Sequence, residues 1–285
     1  MPIEGGAISR TKIRLKNHLY TLAERFAAKR CDVIVSVADA MTEQFLARGI
    51  GFPERYITVR SGMETEAFLH ASPGDSREEM RAELGLGGND FVVGTVARLA
   101  EHKGHDDILD ALGDDLRARK DWKLLWVGDG WWRERLMRRV NEMGIEKQVV
   151  CTGLVPPERV PAMMRAMDVL AHPSSREGLP RTVPQALLCG VCPVAYDVDG
   201  TREACRDGVT GRLVPLGDRR ALGEAIRWLA ENPRERAKLA QQGRDECADT
   251  FSARAMVHAL EGVYRMALDH AGRPAGDDGA GPGSA

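Results

Sequence analysis

The chain has 285 residues, with 40 Lys and Arg against 42 Asp and Glu and a formal net charge of −2, a balance that excludes a general electrostatic attraction to nucleic acid or other acidic polymers. Its apolar fraction of 43% is that of a globular protein, and the length predicts about two domains. No stretch approaches the roughly 18 uninterrupted apolar residues of a membrane span, and the start lacks the apolar core of a secretory signal, so a cytoplasmic location is expected.

The chain opens with Arg10, Lys12, Arg14 and Lys16 around Ile13 and Leu15. This pattern suits either a solvated helix face or peripheral contact with the inner face of an anionic membrane. Strands are predicted at Val33–Val37 and Tyr56–Val59, with Leu19, Leu22, Phe26, Phe45 and Leu46 as further apolar residues needing cover. Two parallel strands with two helices cannot cover their own apolar faces. This piece therefore either leans on a larger domain or closes a domain whose beginning is absent.

After the loop around Leu69–Asp75, Ser76-Arg77-Glu78-Glu79 has capping-box spacing and opens a helix that Gly85 closes. Six strands follow, at Phe91–Val96, Lys123–Val127, Val149–Cys151, Asp168–Ala171, Val191–Tyr196 and Gly211–Val214, alternating with helix-period segments. Their nearly continuous apolar runs predict parallel strands covered on both faces: an α/β fold with a doubly wound parallel sheet. Asn232-Pro233 separates helices near Arg219–Glu231 and Arg234–Ala248, and the Gly/Pro-rich tail over 269–285 has nothing to bury and is expected to be disordered. Six scattered cysteines do not suggest a disulfide scaffold. Cys189-Gly-Val-Cys192 reads as packing between a helix end and a strand rather than as a redox pair or half a zinc site, since no second pair completes one.

Three stretches carry chemistry. In V-G-T-V-A-R-L-A-E-H-K-G-H, Arg98 and Lys103 follow a strand end, where open parallel sheets bind ligands. The pair reads either as a diphosphate clamp or as a solvated basic loop. In L-L-W-V-G-D-G, Gly128 and Gly130 are followed by Trp131-Trp132, so the dinucleotide fingerprint is incomplete. The turn is left to bring backbone close to a ligand or a helix. In S-R-E-G-L-P-R-T-V-P-Q-A-L-L-C-G, Glu177 suits sugar hydroxyls, Gly178 and Leu179 precede a helix start that favours phosphate, and Gln185 can donate and accept. A plain helix-start acid and a solvated Gln185 are the bland alternative. Pro184 predicts a bent or late-starting helix. His102, His105 and His172 lie near this region without metal-ligand spacing.

Together these stretches resemble the retaining glycosyltransferases of family 4, which have the GT-B fold, over about Leu19 to Ala267. A-R-L-A-E-H-K-G is similar to the family's diphosphate-binding element. C-T-G-L-V-P-P-E-R resembles the segment lining the base pocket, around Leu154 and Val155, and E-G-L-P-R-T-V-P-Q-A resembles the E-x7-E signature. The resemblance implies that Arg98 and Lys103 hold the diphosphate, Glu177 the donor-sugar hydroxyls, and amides near Gly178 and Leu179 the phosphate. Gln185 stands where the pattern has a ribose-binding acid. It implies a UDP- or GDP-sugar donor, a glycan or lipid acceptor, and no metal or other cofactor. It also implies a remnant of the acceptor-side domain over 1–70, a nucleotide-sugar domain over 71–250, a returning helix over 251–268 and a missing N-terminal acceptor domain. A non-catalytic nucleotide-sugar-binding or regulatory subunit that needs a separate acceptor domain is the alternative. An NAD-dependent oxidoreductase fits poorly because of the broken glycine fingerprint.

Overall fold

The computed structural model of the chain describes residues 18–271. The basic segment Arg10–Lys16 and the tail from residue 272 lie outside them. Residues 269–271, expected in the tail, instead complete the helix Ala253–Ala271. Among the described residues no helix is long and apolar enough to cross a membrane.

Two compact units are present: the described parts of Met1–Arg60 and Met256–Ala285, and Ser61–Ala255. The larger unit begins ahead of the Leu69–Asp75 loop because Met63 and Phe68 are part of its core, and Met63 N–H donates to Phe251 O at 2.9 Å.

In the smaller unit, β1 (Ile34–Ser36) and β2 (Tyr56–Thr58) pair in parallel, with Val35 opposite Ile57. Ser36 Oγ lies 2.6 Å from Thr42 Oγ1 and 3.3 Å from Thr58 Oγ1, which ties both strands to the helix Asp39–Ala47. Val35, pointing the other way, is 43% exposed.

The larger unit contains β3 (Phe91–Val96), β4 (Trp122–Val127), β5 (Val149–Gly153), β6 (Val169–His172), β7 (Cys192–Tyr196) and β8 (Arg212–Val214). They form one parallel sheet in the order β5-β4-β3-β6-β7-β8. Successive side chains point to opposite faces of a strand, and both faces are packed here. Leu124, Trp126, Val169 and Ala171 enter a core with Leu109, Leu112, Ile226 and Leu229. Leu125, Val127 and Leu170 enter the opposite core with Met80, Met163, Leu187 and Phe251. Covering both faces explains the unbroken apolar letters of these strands.

The expected capping box is present: Ser76 N–H donates to Glu79 Oε2, and Glu79 N–H donates to Ser76 Oγ, opening the helix Arg77–Glu83. That helix and the helix Pro233–Thr250 are tied to the amino end of the sheet through Asp168. Its carboxylate meets Arg77 at 2.8 Å, Arg81 at 2.7 Å and Arg236 at 3.3 Å, and accepts Val92 N–H. Cys189 caps a helix and Cys192 opens β7. Burial pushes both thiols up to about 12, so they stay protonated and serve packing.

Candidate functional site

The strand order places a topological switch between β3 and β6. From β3 the chain proceeds outward to β4 and β5, then returns as β6 on the other side. The connections leaving β3 and β6 at their carboxyl ends therefore run to opposite sides of the sheet, the arrangement beside which open parallel sheets hold ligands. Arg98 and Lys103 lie in the first loop, Glu177, Gly178 and Leu179 in the second, and Leu154 and Val155 follow β5.

Glycines let these loops dock on one another. A Cβ on Gly128 would fall 2.2 Å from Ala97 O, and one on Gly130 would fall 2.3 Å from Leu99 O. The Gly128-Asp129-Gly130 turn thus packs its backbone directly on the neighbouring loop after β3. Leu99 N–H donates to Asp129 O at 3.0 Å across that contact. Gly104, at φ 72°, would place a Cβ 2.1 Å from Pro173 O. The β3 and β6 loops meet there, and Ser175 N–H and Ser174 Oγ both donate to His102 O, at 2.8 and 3.1 Å.

Across this junction Lys103 Nζ lies 2.6 Å from Glu177 Oε1, with both side chains largely buried. His172 Nε2 is 3.2 Å from the same oxygen, at ion-pair distance but off the line of a hydrogen bond, and its Nδ1 is 3.2 Å from Thr182 Oγ1. Burial by itself would raise the Glu177 carboxyl, but His172 and Lys103 outweigh it and hold the group at about 2. Arg98 is exposed, has no acidic partner among the described residues, and sits with its guanidinium carbon 5.4 Å from the Trp131 ring centroid. It lines a cavity of about 240 Å³ with Val96, Val127, Gly128, Leu154 and Val155. Leu154 stands 83% exposed at its rim.

The Gly178 and Leu179 N–H groups have no hydrogen-bond partner among the described residues, whereas Glu177 N–H donates to Asp199 Oδ2 at 2.8 Å. The following helix, Thr182–Leu188, starts late, as Pro184 predicts, and leaves Pro180 in the loop. Gln185 is half-buried in that helix, and its side chain has no hydrogen bond among the described residues. The three histidines separate. His172 joins the site. His102 contributes its carbonyl. His105 is buried edge-on against Trp126, where burial pushes it down to about 4.

Three site residues escape a reading of the letters: Ser174, Trp131 and Asp199. Asp199 has φ 44°, the single left-handed non-glycine residue among those described, a conformation costing roughly 1–2 kcal/mol.

The family of glycosyl transferases group 1 matches residues 76–246, the sheet and every loop of the candidate site. The chain belongs to this family. The 2-deoxystreptamine glucosyltransferase of Streptomyces kanamyceticus is 30% identical over 268 residues, 93% of this chain and 66% of that protein. The 2-deoxystreptamine N-acetyl-D-glucosaminyltransferase of Streptomyces fradiae is 31% identical over 261 residues, 90% of this chain and 61% of that protein. The chain therefore spans somewhat less than two thirds of the length of these glycosyl transferases. Among solved structures, Anabaena Alr3699/HepE in complex with UDP and glucose superposes with a TM-score of 0.75 at 25% identity, covering 86% of this chain and 65% of that one. The six-stranded unit thus matches GT-B glycosyltransferase structures.

Proposed function

We propose that the chain is the donor-binding part of a retaining, family 4-like glycosyltransferase that moves a hexosyl group from a UDP- or GDP-sugar to an acceptor hydroxyl on a glycan or lipid. One observation carries this reading. A cation, a carboxylate and two N–H groups without partners among the described residues lie where the loops after β3 and β6 meet, and Arg98, with no acidic partner among those residues, is on the same loop as the cation. Likeness to a protein solved with UDP and glucose supports it.

In this reading Leu154 and Val155 flank the base and Gln185 reaches the ribose as a neutral partner. Arg98, Lys103 and the Gly178 and Leu179 amides hold the diphosphate, and Glu177 accepts hydroxyls of the sugar. The bond from the anomeric carbon to phosphate oxygen breaks and its electron pair stays on the diphosphate. There the two cations stabilise the growing charge, without a metal ion. The acceptor oxygen bonds to the same face of an oxocarbenium-like carbon, and its proton passes to the departing phosphate.

Calorimetry with UDP and GDP tests the clamp. Arg98→Ala should weaken the preferred nucleotide by about 1.5–3 kcal/mol, the range for hydrogen bonds to charged groups. Lys103→Ala should weaken it at least as much, because it also leaves the Glu177 carboxylate facing the diphosphate. Unchanged affinity in both variants removes the clamp. The second reading, a subunit that needs a separately encoded acceptor domain, draws on the exposed Val35 face of the small parallel sheet. Transfer to an acceptor by this chain alone sinks that reading.

A further inference from the structure

The loop after β7 holds a residue whose backbone and side chain are at odds. At φ 44° Asp199 occupies the left-handed region, where glycine is the unstrained choice, while its neighbour Gly200 has φ −77°, open to any residue. The strained position therefore carries the side chain, and the glycine stands where it is not required. Such an inversion persists where the side chain has a task. The Asp199 carboxylate accepts the N–H of Glu177 at 2.8 Å, and Gly200 N–H donates to Gly178 O at 3.0 Å. Two consecutive residues after β7 thus grip two consecutive residues after β6.

Resting on the donor-site reading above, we propose that Asp199 is a positioning residue for donor binding. It occupies the Glu177 N–H, so that the Gly178 and Leu179 N–H groups alone face the diphosphate and the Glu177 side chain stays aimed at Lys103 and the sugar. The left-handed backbone swings the carboxylate back under the β6 loop, which no residue in an extended strand end would do.

Two substitutions separate backbone from carboxylate. Asp199→Gly relieves the left-handed strain and deletes the acceptor. Asp199→Asn keeps an acceptor oxygen on a residue that tolerates the same backbone. The expected result is that Asp199→Gly melts at or above the wild-type midpoint yet binds UDP or GDP at least about tenfold more weakly. Asp199→Asn is expected to stay within about threefold of wild type, since Asn and Asp are nearly equal as acceptors of backbone N–H. Hydrogen exchange at the Glu177 amide should accelerate in the glycine variant alone. Wild-type nucleotide affinity in Asp199→Gly overturns the assignment while leaving the donor reading intact, and so does an asparagine variant that fails to restore it. A wild-type chain that binds neither UDP nor GDP overturns both.

Discussion

Glu177 is a largely buried acid held anionic at neutral pH by its neighbours, and this has a pH signature. Its ordinary value of 4.5 falls to about 2 in the fold, because His172 and Lys103 outweigh the cost of burial. A depressed carboxylate stabilises the fold fully above its unfolded value and loses that contribution as pH drops through its folded one. The window is therefore pH 4.5 down to about 2, and the linked stability is on the order of 3 kcal/mol. Glu177→Gln should melt below wild type at pH 7, and the gap should close as the pH falls through that window. Thermal melts at pH 7, 5, 4 and 3 decide it, and a constant gap breaks the linkage. At this scale Arg98, Lys103 and Glu177 are visible in the letters because each follows a strand end at short range. Asp199 is not, since its partner lies 22 residues earlier and only the folded chain brings them together. His172 is placed near the site by the letters, but its contacts with Glu177 and Thr182 appear only in the folded chain.

At the scale of elements, the strands were readable because a sheet covered on both faces leaves apolar runs, and the ends found agree with those expected to within a residue or two. The late start of the Thr182–Leu188 helix was also readable, through Pro184. The packing of one loop on another was not. The spacing of Gly128 and Gly130 does not tell which neighbour the backbone meets, and only the folded chain shows the carbonyls of Ala97 and Leu99 there. Gly104 offers the sharpest test of that junction. Gly104→Ala suffers both a left-handed backbone and a Cβ driven to 2.1 Å from Pro173 O. It should lose at least about 2 kcal/mol of stability together with nucleotide affinity, because Lys103 is carried by the displaced loop. Gly85→Ala is its control: φ is 67° there, but a Cβ meets open space, so about 1 kcal/mol of backbone strain is the whole expected loss. Chemical denaturation of both variants measures the difference, and equal losses would mean that the loop junction contributes nothing.

Across the larger unit the candidate site and a cluster of ion pairs lie at opposite ends of the sheet. The carboxyl ends of the strands carry the site; the amino end carries Asp168, which joins two helices to β6 through three arginines. Asp168→Asn leaves those guanidinium groups without their anion and should cost about 3–5 kcal/mol. Nucleotide affinity, measured well below the melting midpoint, should not change. A matched fall in affinity would show that the two ends are coupled. In the smaller unit both strands were legible in the letters. Its boundary was not, because Met63 and Phe68 read equally well as the end of one domain or the start of the next. One feature of the larger unit shapes how any anion enters it. Lys103 and Glu177, on loops from strands of opposite halves of the sheet, are clasped at 2.6 Å. On the proposed donor-site reading, an arriving phosphate competes with a tethered carboxylate for the same ammonium, and the sugar hydroxyls take up the carboxylate that the phosphate dislodges. Diphosphate and sugar would then enter by one exchange, and a free phosphate, bringing no hydroxyls, would leave half of it undone.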